Sequence, residues 1–147
     1  MNVSRATSED RARADALLAA RSLPPLPRTL AGANVLVALA GGEVVGVVGL
    51  EVQGLHGIVS ALAVADTDDP AAVARSLLYA LVSRANEISL RTLFVLGEDA
   101  DGWFAAAGFL PVSEDSVPLA IRTTRSFRAP RPATSRVLRF ELARRCV

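Results

Sequence analysis

Lysine is absent from the sequence: all 16 basic residues are arginine. That excludes a lysine nucleophile or Schiff base, and beside the abundant alanine it reads as genome composition rather than chemistry. One cysteine, Cys146, excludes an internal disulfide and fits a reducing compartment, so a cytoplasmic protein is expected. Cys146 stands next to the terminus, where chains fray, and no nucleophilic role is assigned to it. One histidine, His56, cannot build a metal site alone; it is read as a turn residue, and no metal is expected. Long apolar runs are missing too. VVGVVGL at 44–50 is far too short to cross a bilayer, so no membrane partner is expected. The opening MNVSRATSED has no apolar signal region, and no export is expected.

What is present describes one globular domain over residues 1–147. Half the residues are apolar (51%) and 21% are charged, enough for a single sizeable core. The net charge of +1 is unevenly placed. From Ile121 onward there are eight arginines (122, 125, 128, 131, 136, 139, 144 and 145) against one acid, Glu141. Such a tail is either a solvated face or a surface for an anionic partner. Phe127 and Phe140 are its only interleaved aromatics, too few for a base-stacking surface, so nucleic acid is not expected as a partner.

Periodicity and turn residues divide the chain. Residues 2–6 read as a strand, and Thr7 or Ser8 caps a helix running to about Arg21, with Ala14, Leu17, Leu18 and Arg21 along its inner edge. SLPPLPRTLAG (22–32) is a loop. NVLVALA (34–40) and EVVGVVGLEV (43–52) flank Gly-Gly as a hairpin, with Gly46 and Gly49 leaving room for close contact. GIVSALAVA (57–65) is a strand. The helix from Pro70 to about Asn86 has Val73, Leu77, Leu81 and Ile88 on one stripe, with Leu78, Val82 and Ala85 beside them. RTLFVLG (91–97) is a buried strand, 100–107 a short helix stopped by Gly108, and FLPV a further strand. Residues 117–127 are expected as a strand and Ala133–Arg145 as a closing helix, making a basic strand/helix segment over 117–147. Three successive antiparallel strands followed by strand–helix–strand define an α/β (α+β) fold with a mixed, mainly antiparallel sheet flanked by helices.

The join TDDP (67–70) between strand and helix is where the chemistry concentrates. Such joins often hold phosphate on helix N–H groups, but Asp66, Asp68 and Asp69 crowd it and it has no glycine. Asp followed by Pro is also a good helix start, so the join is a phosphate site, the remnant of one, or a cap.

In its first helix, GEVVGVVGLE (42–51), ALAV-turn-helix and FAAAGF (104–109), taken in that order, the chain resembles the GCN5-related N-acetyltransferases (GNATs). Within that superfamily, GVVGLE (46–51) and PLAIRTTRSFRAPRPATS (118–135) are most similar to the ArsN-type proteins associated with arsenic resistance, with Arg131 where their tail cysteine would stand. The resemblance implies acetyl-CoA as acetyl donor. Leu62, Ala63 and Val64 would then offer backbone groups to the pantetheine arm. The amides of Ala71, Ala72, Val73 and Ala74, with Arg75, would hold the pyrophosphate. The family turn carries Arg or Gln, two residues, Gly, any residue, then Gly or Ala; Asp69 and Ala72 depart from it, and Ala74 conforms. Binding of acetyl-CoA is therefore expected to be weak or lost.

Acetyl transfer needs a base for the acceptor ammonium and an acid for the leaving thiolate. Glu51, ending an apolar strand, is the base candidate; its alternative is a solvated strand-end carboxylate. The family's acid is commonly a Tyr four residues before the Gly of the final GF. Phe104 departs from that, and Tyr79 lies on the long helix. Trp103 and Phe109 are expected in the core. Two functions follow: an acetyl-CoA-dependent N-acetyltransferase for a small amine or amino-acid-like acceptor, or a non-catalytic GNAT-fold protein that binds a ligand or partner. A homodimer pairing through 117–127 is an open possibility.

Overall fold

The structure, a computed structural model, describes residues 1–23, 25–26, 34–97, 99, 101–129 and 136–142. Strand β1 (Asn2–Arg5) leads into helix α1 (Ser8–Ala20) through a reciprocal cap. Thr7 Oγ1 accepts from the Asp10 N–H at 3.1 Å, and Asp10 Oδ2 accepts from the Thr7 N–H at 3.0 Å. Two of the first-turn N–H groups that a helix leaves unpaired are thereby satisfied. Strands β2 (Val35–Ala40), β3 (Glu43–Gln53) and β4 (His56–Val64) form an antiparallel meander. Helix α2 (Pro70–Glu87) crosses to β5 (Thr92–Gly97), which runs parallel to β4. After α3 (Trp103–Ala106) come β6 (Leu110–Val112), α4 (Leu119–Arg122), α5 (Arg125–Arg128) and β7 (Arg136–Glu141).

The seven strands are ordered β1-β2-β3-β4-β5-β7-β6. Helix α2 covers one face, burying Val73, Ala74, Leu77, Leu78, Leu81 and Ala85 against Val48, Leu50, Leu93 and Val95. On the other face Ala14 and Leu18 of α1 pack against Val35, Val37 and Val47. Farther along that face, Val117 and Ile121 cover Ile58, Phe94 and Val137. Each fully buried Leu, Ile or Phe contributes roughly 1.5–3 kcal/mol of burial free energy. Gly46 lets α2 approach closely, because a Cβ there would lie 2.8 Å from Leu77 Cδ1 and 2.9 Å from Val73 Cγ1.

Two expectations fail at the C-terminal end. Residues 117–127 do not form a strand but two single-turn helices. The buried side chains of the segment, Val117, Ile121 and Thr124, recur every three or four residues, a helical spacing that the β-branched composition masks. Thr124 Oγ1 caps α5 by accepting from the Phe127 N–H at 3.2 Å. The closing helix is replaced over its described part by β7, which slots between β5 and β6. Val137 and Leu138 point to opposite faces into separate clusters, the period of a strand covered on both sides. A dimer paired through 117–127 therefore has no strand there to use; the outermost strands are β1 and β6. Cys146, Arg131 and most of the 22–32 loop lie outside the described residues.

Candidate functional site

Strands β4 and β5 pair only from His56–Thr92 to Val59–Val95. Strand β5 continues to Gly97 paired with β7, while β4 continues to Val64 paired with β3. From Ser60 to Val64, the β5-facing edge of β4 has no strand beside it. The cause is local. Gly49 pairs with Ala61 and Leu50 with Val59, so Ser60 is an extra residue in β4. A bulge of this kind bends its strand and increases its twist, which swings the end of β4 away from β5.

Two cavities adjoin this gap along β4. The larger, about 550 Å³, is lined by Leu62, Ala63 and Val64 of β4, by Arg21 and Asp66 at its mouth, and by Trp103. Trp103, expected in the core, thus both packs against the core and faces the cavity, whereas Phe109 is buried as expected. Arg21 Nη2 lies 2.8 Å from Asp66 Oδ1, a bridge between the end of α1 and the β4–α2 turn. The smaller cavity, about 300 Å³, includes Leu26, Ile58, Ser60, Ala61, Leu96 and Ser126 in its lining.

Glu51 lies on β3 beside Ile58, half-buried and held in place. Its Oε2 accepts from Ser126 Oγ at 2.7 Å, and its Oε1 accepts from Gln53 Nε2 at 3.2 Å. It is thus a partly buried, hydrogen-bonded carboxylate two residues short of the end of β3. Nothing in the sequence marked Ser126, which stands 75 residues from Glu51 in a segment read as a strand.

The turn before α2 is less open than the sequence suggests. Asp69 Oδ1 accepts from the Ala72 N–H at 3.1 Å, and the Asp69 carbonyl accepts from the Val73 N–H at 3.4 Å. Ala74 is fully buried against the sheet. Of the four amides expected to hold phosphate, Ala71 alone has an N–H free of described partners in the first helical turn, and Pro70 has none to give. Arg75 is exposed on that turn.

The other candidates settle into structural places. Phe104 is buried edge-on to Phe109, with ring centroids 5.3 Å apart, and Tyr79 is 77% exposed on the outer side of α2. His56 is not in a turn but opens β4, its ring 6.1 Å from that of Phe94. Burial, and then the positive charge of Arg91, push its pKa below the ordinary 6.5. Among the described residues there is no cluster of metal-ligating side chains, and no helix is long and apolar enough to cross a membrane.

A parallel strand pair that parts midway inside an otherwise antiparallel sheet, with the helix α2 following the parted strand, defines the fold of the GCN5-related N-acetyltransferases. The chain superposes on Rv2747 from Mycobacterium tuberculosis, in complex with CoA and NLQ, with a TM-score of 0.79 and 19% identity over 97% of this chain and 100% of that one. N-acetylglutamate synthase from Neisseria gonorrhoeae, complexed with coenzyme A and N-acetyl-glutamate, matches at a TM-score of 0.77 and 23% identity. That match covers 97% of this chain, which spans only 35% of the synthase. An acetyltransferase of the GNAT family from Staphylococcus aureus matches at 0.73 and 12%, over 97% of this chain and 99% of that one. No protein-family model and no curated protein sequence matches the chain.

Proposed function

We propose that this single-domain chain is an acetyl-CoA-dependent N-acetyltransferase acting on a small amine. One observation carries the reading: the unpaired edge of β4, Ser60–Val64, opens between two cavities of unequal size. An extended arm fits the larger cavity, where Leu62 and Val64 turn backbone donors and acceptors to the edge that lacks a neighbouring strand, while Ala63 pairs with Val47 of β3. Acetyl-CoA would supply an acetyl thioester at that edge. Solved structures of the same fold hold CoA, which supports the class of ligand.

The amine would enter from the smaller cavity, and Glu51 would take the proton released from its ammonium. Phe104 has no proton to give a leaving thiolate, so that proton would come from solvent or the acceptor itself. The ArsN-type likeness rests on GVVGLE and the 118–135 stretch, and it supports an amino-acid-like or arsenical acceptor only as far as those residues go.

A second reading, a ligand-binding protein without acetyl transfer, is favoured by the Asp69 carboxylate seated on the Ala72 N–H where a pyrophosphate would lie. Calorimetric titration with acetyl-CoA and thiol release with a panel of amines separate the two. Binding with amine-dependent thiol release is the expected result. Absence of heat and of thermal stabilisation at millimolar acetyl-CoA would leave the second reading standing.

A further inference from the structure

The smaller cavity has apolar walls, and Ser60 and Ser126 are the polar side chains of its described lining. Ser126 spends its hydroxyl proton on Glu51 at 2.7 Å, so its oxygen lone pairs remain to accept from a ligand N–H. Ser60 Oγ is sealed from solvent with no hydrogen-bond partner in the described structure, an uncommon state for a buried hydroxyl. Ser60 lines the cavity, so a polar ligand group there would offer that hydroxyl the partner it lacks. The cavity volume, about 300 Å³, is at the small end for a ligand pocket.

We propose that this cavity selects a compact, singly charged primary amine carrying one neutral polar group, such as an amino alcohol, and that Ser126 touches the ammonium directly. The inference rests on the acetyltransferase reading and narrows its acceptor to a small amine, away from amino-acid-like ones. In the proton step, an ammonium N–H passes its proton to Ser126 Oγ as the Ser126 proton passes to Glu51 Oε2. The amine becomes neutral, Glu51 becomes protonated, and Ser126 is unchanged. A carboxylate on the acceptor would face the Glu51 charge, and a second ammonium would lose its hydration against Ile58, Ala61 and Leu96 without a described partner.

Proton–nitrogen correlation spectra of the full chain, recorded with and without CoA, test this. Butylamine and aminobutanol should shift the amides of Ser60, Ala61 and Ser126. Aminobutanol should bind about fivefold more tightly than butylamine, a preference that Ser60→Ala abolishes. Ser126→Ala should weaken both amines and Ser126→Thr should restore them, whereas a merely structural Ser126 would leave both affinities unchanged. Glutamate and spermidine should bind at least about tenfold more weakly than aminobutanol. Tighter binding of either one, or no shift by the small amines with CoA present or absent, overturns the inference. CoA itself should shift Leu62, Ala63 and Val64; failure there removes the acetyltransferase reading while leaving the amine shifts to be read separately.

Discussion

Glu51 shows how a single carboxylate is held in place by one near and one distant neighbour. Two hydrogen bonds, from Ser126 and Gln53, fix its orientation, and both are available to the ionised form. Glu51→Gln keeps the shape but cannot accept the proton, so kcat for thiol release should fall about 10²-fold with the KM for acetyl-CoA unchanged. Unaltered kcat would remove Glu51 as base. Asp69 Oδ1 caps α2, and under the proposed function its charge would face a pyrophosphate. Ser is an equally good cap without the charge. Asp69→Ser should therefore leave the melting temperature nearly unchanged while tightening CoA about fivefold at low salt, an effect that added salt diminishes. Calorimetry at two ionic strengths reads this, and equal affinities for the two proteins would discard the repulsion account. His56 has a folded-state pKa below 6.5, so below that pH the unfolded chain binds a proton that the folded chain resists. Its stabilising effect is complete above about pH 6.5 and declines as pH falls toward the lowered folded value. Thermal melts from pH 7 downward should show that loss, with a shallower slope in His56→Gln.

At the scale of elements, the strongly periodic pieces were legible from their residues alone. Thr7 with Asp10, Asp69 with Pro70, and the α2 stripe through Val73, Leu77 and Leu81 place both long helices within a residue or two. Local chemistry decides these, because a cap or an amphipathic face needs only near neighbours. The segment 117–127 misled because Val117, Ile121 and the paired threonines favour strands, while tertiary burial every three or four residues made helical turns. RVLRFE (136–141) misled in the opposite direction: its short run becomes a strand because β5 and β6 both offer edges to it. Gly46, read from sequence as room for close contact, is a packing point between β3 and α2. Gly46→Val should destabilise the fold by about 1–3 kcal/mol, since its side chain must displace Leu77 and Val73. Urea unfolding measures this, and a change within about 0.5 kcal/mol would mean that α2 yields easily.

Across the whole molecule, the proposed function rests on two strands that start as partners and then part. Amides of Ser60–Val64 that face the gap should exchange quickly in the free protein and slow when CoA binds, whereas those paired through Val59 should change little. Exchange unaffected by CoA along β4 would argue against the arm lying there. By itself the sequence determined the class of fold, the order of most elements, the capping of both long helices, and an acidic, glycine-free turn before α2. Each of these follows from residue type and short-range spacing, which the chain carries in one dimension. Only the tertiary structure decided that Asp69 occupies the Ala72 N–H, that Ser60 is the extra residue that parts β4 from β5, and that Ser126 comes to Glu51 from 75 residues away. Those depend on register and on contacts between distant segments, where a one-residue shift exchanges the faces of a strand and no local signal records which partner will arrive.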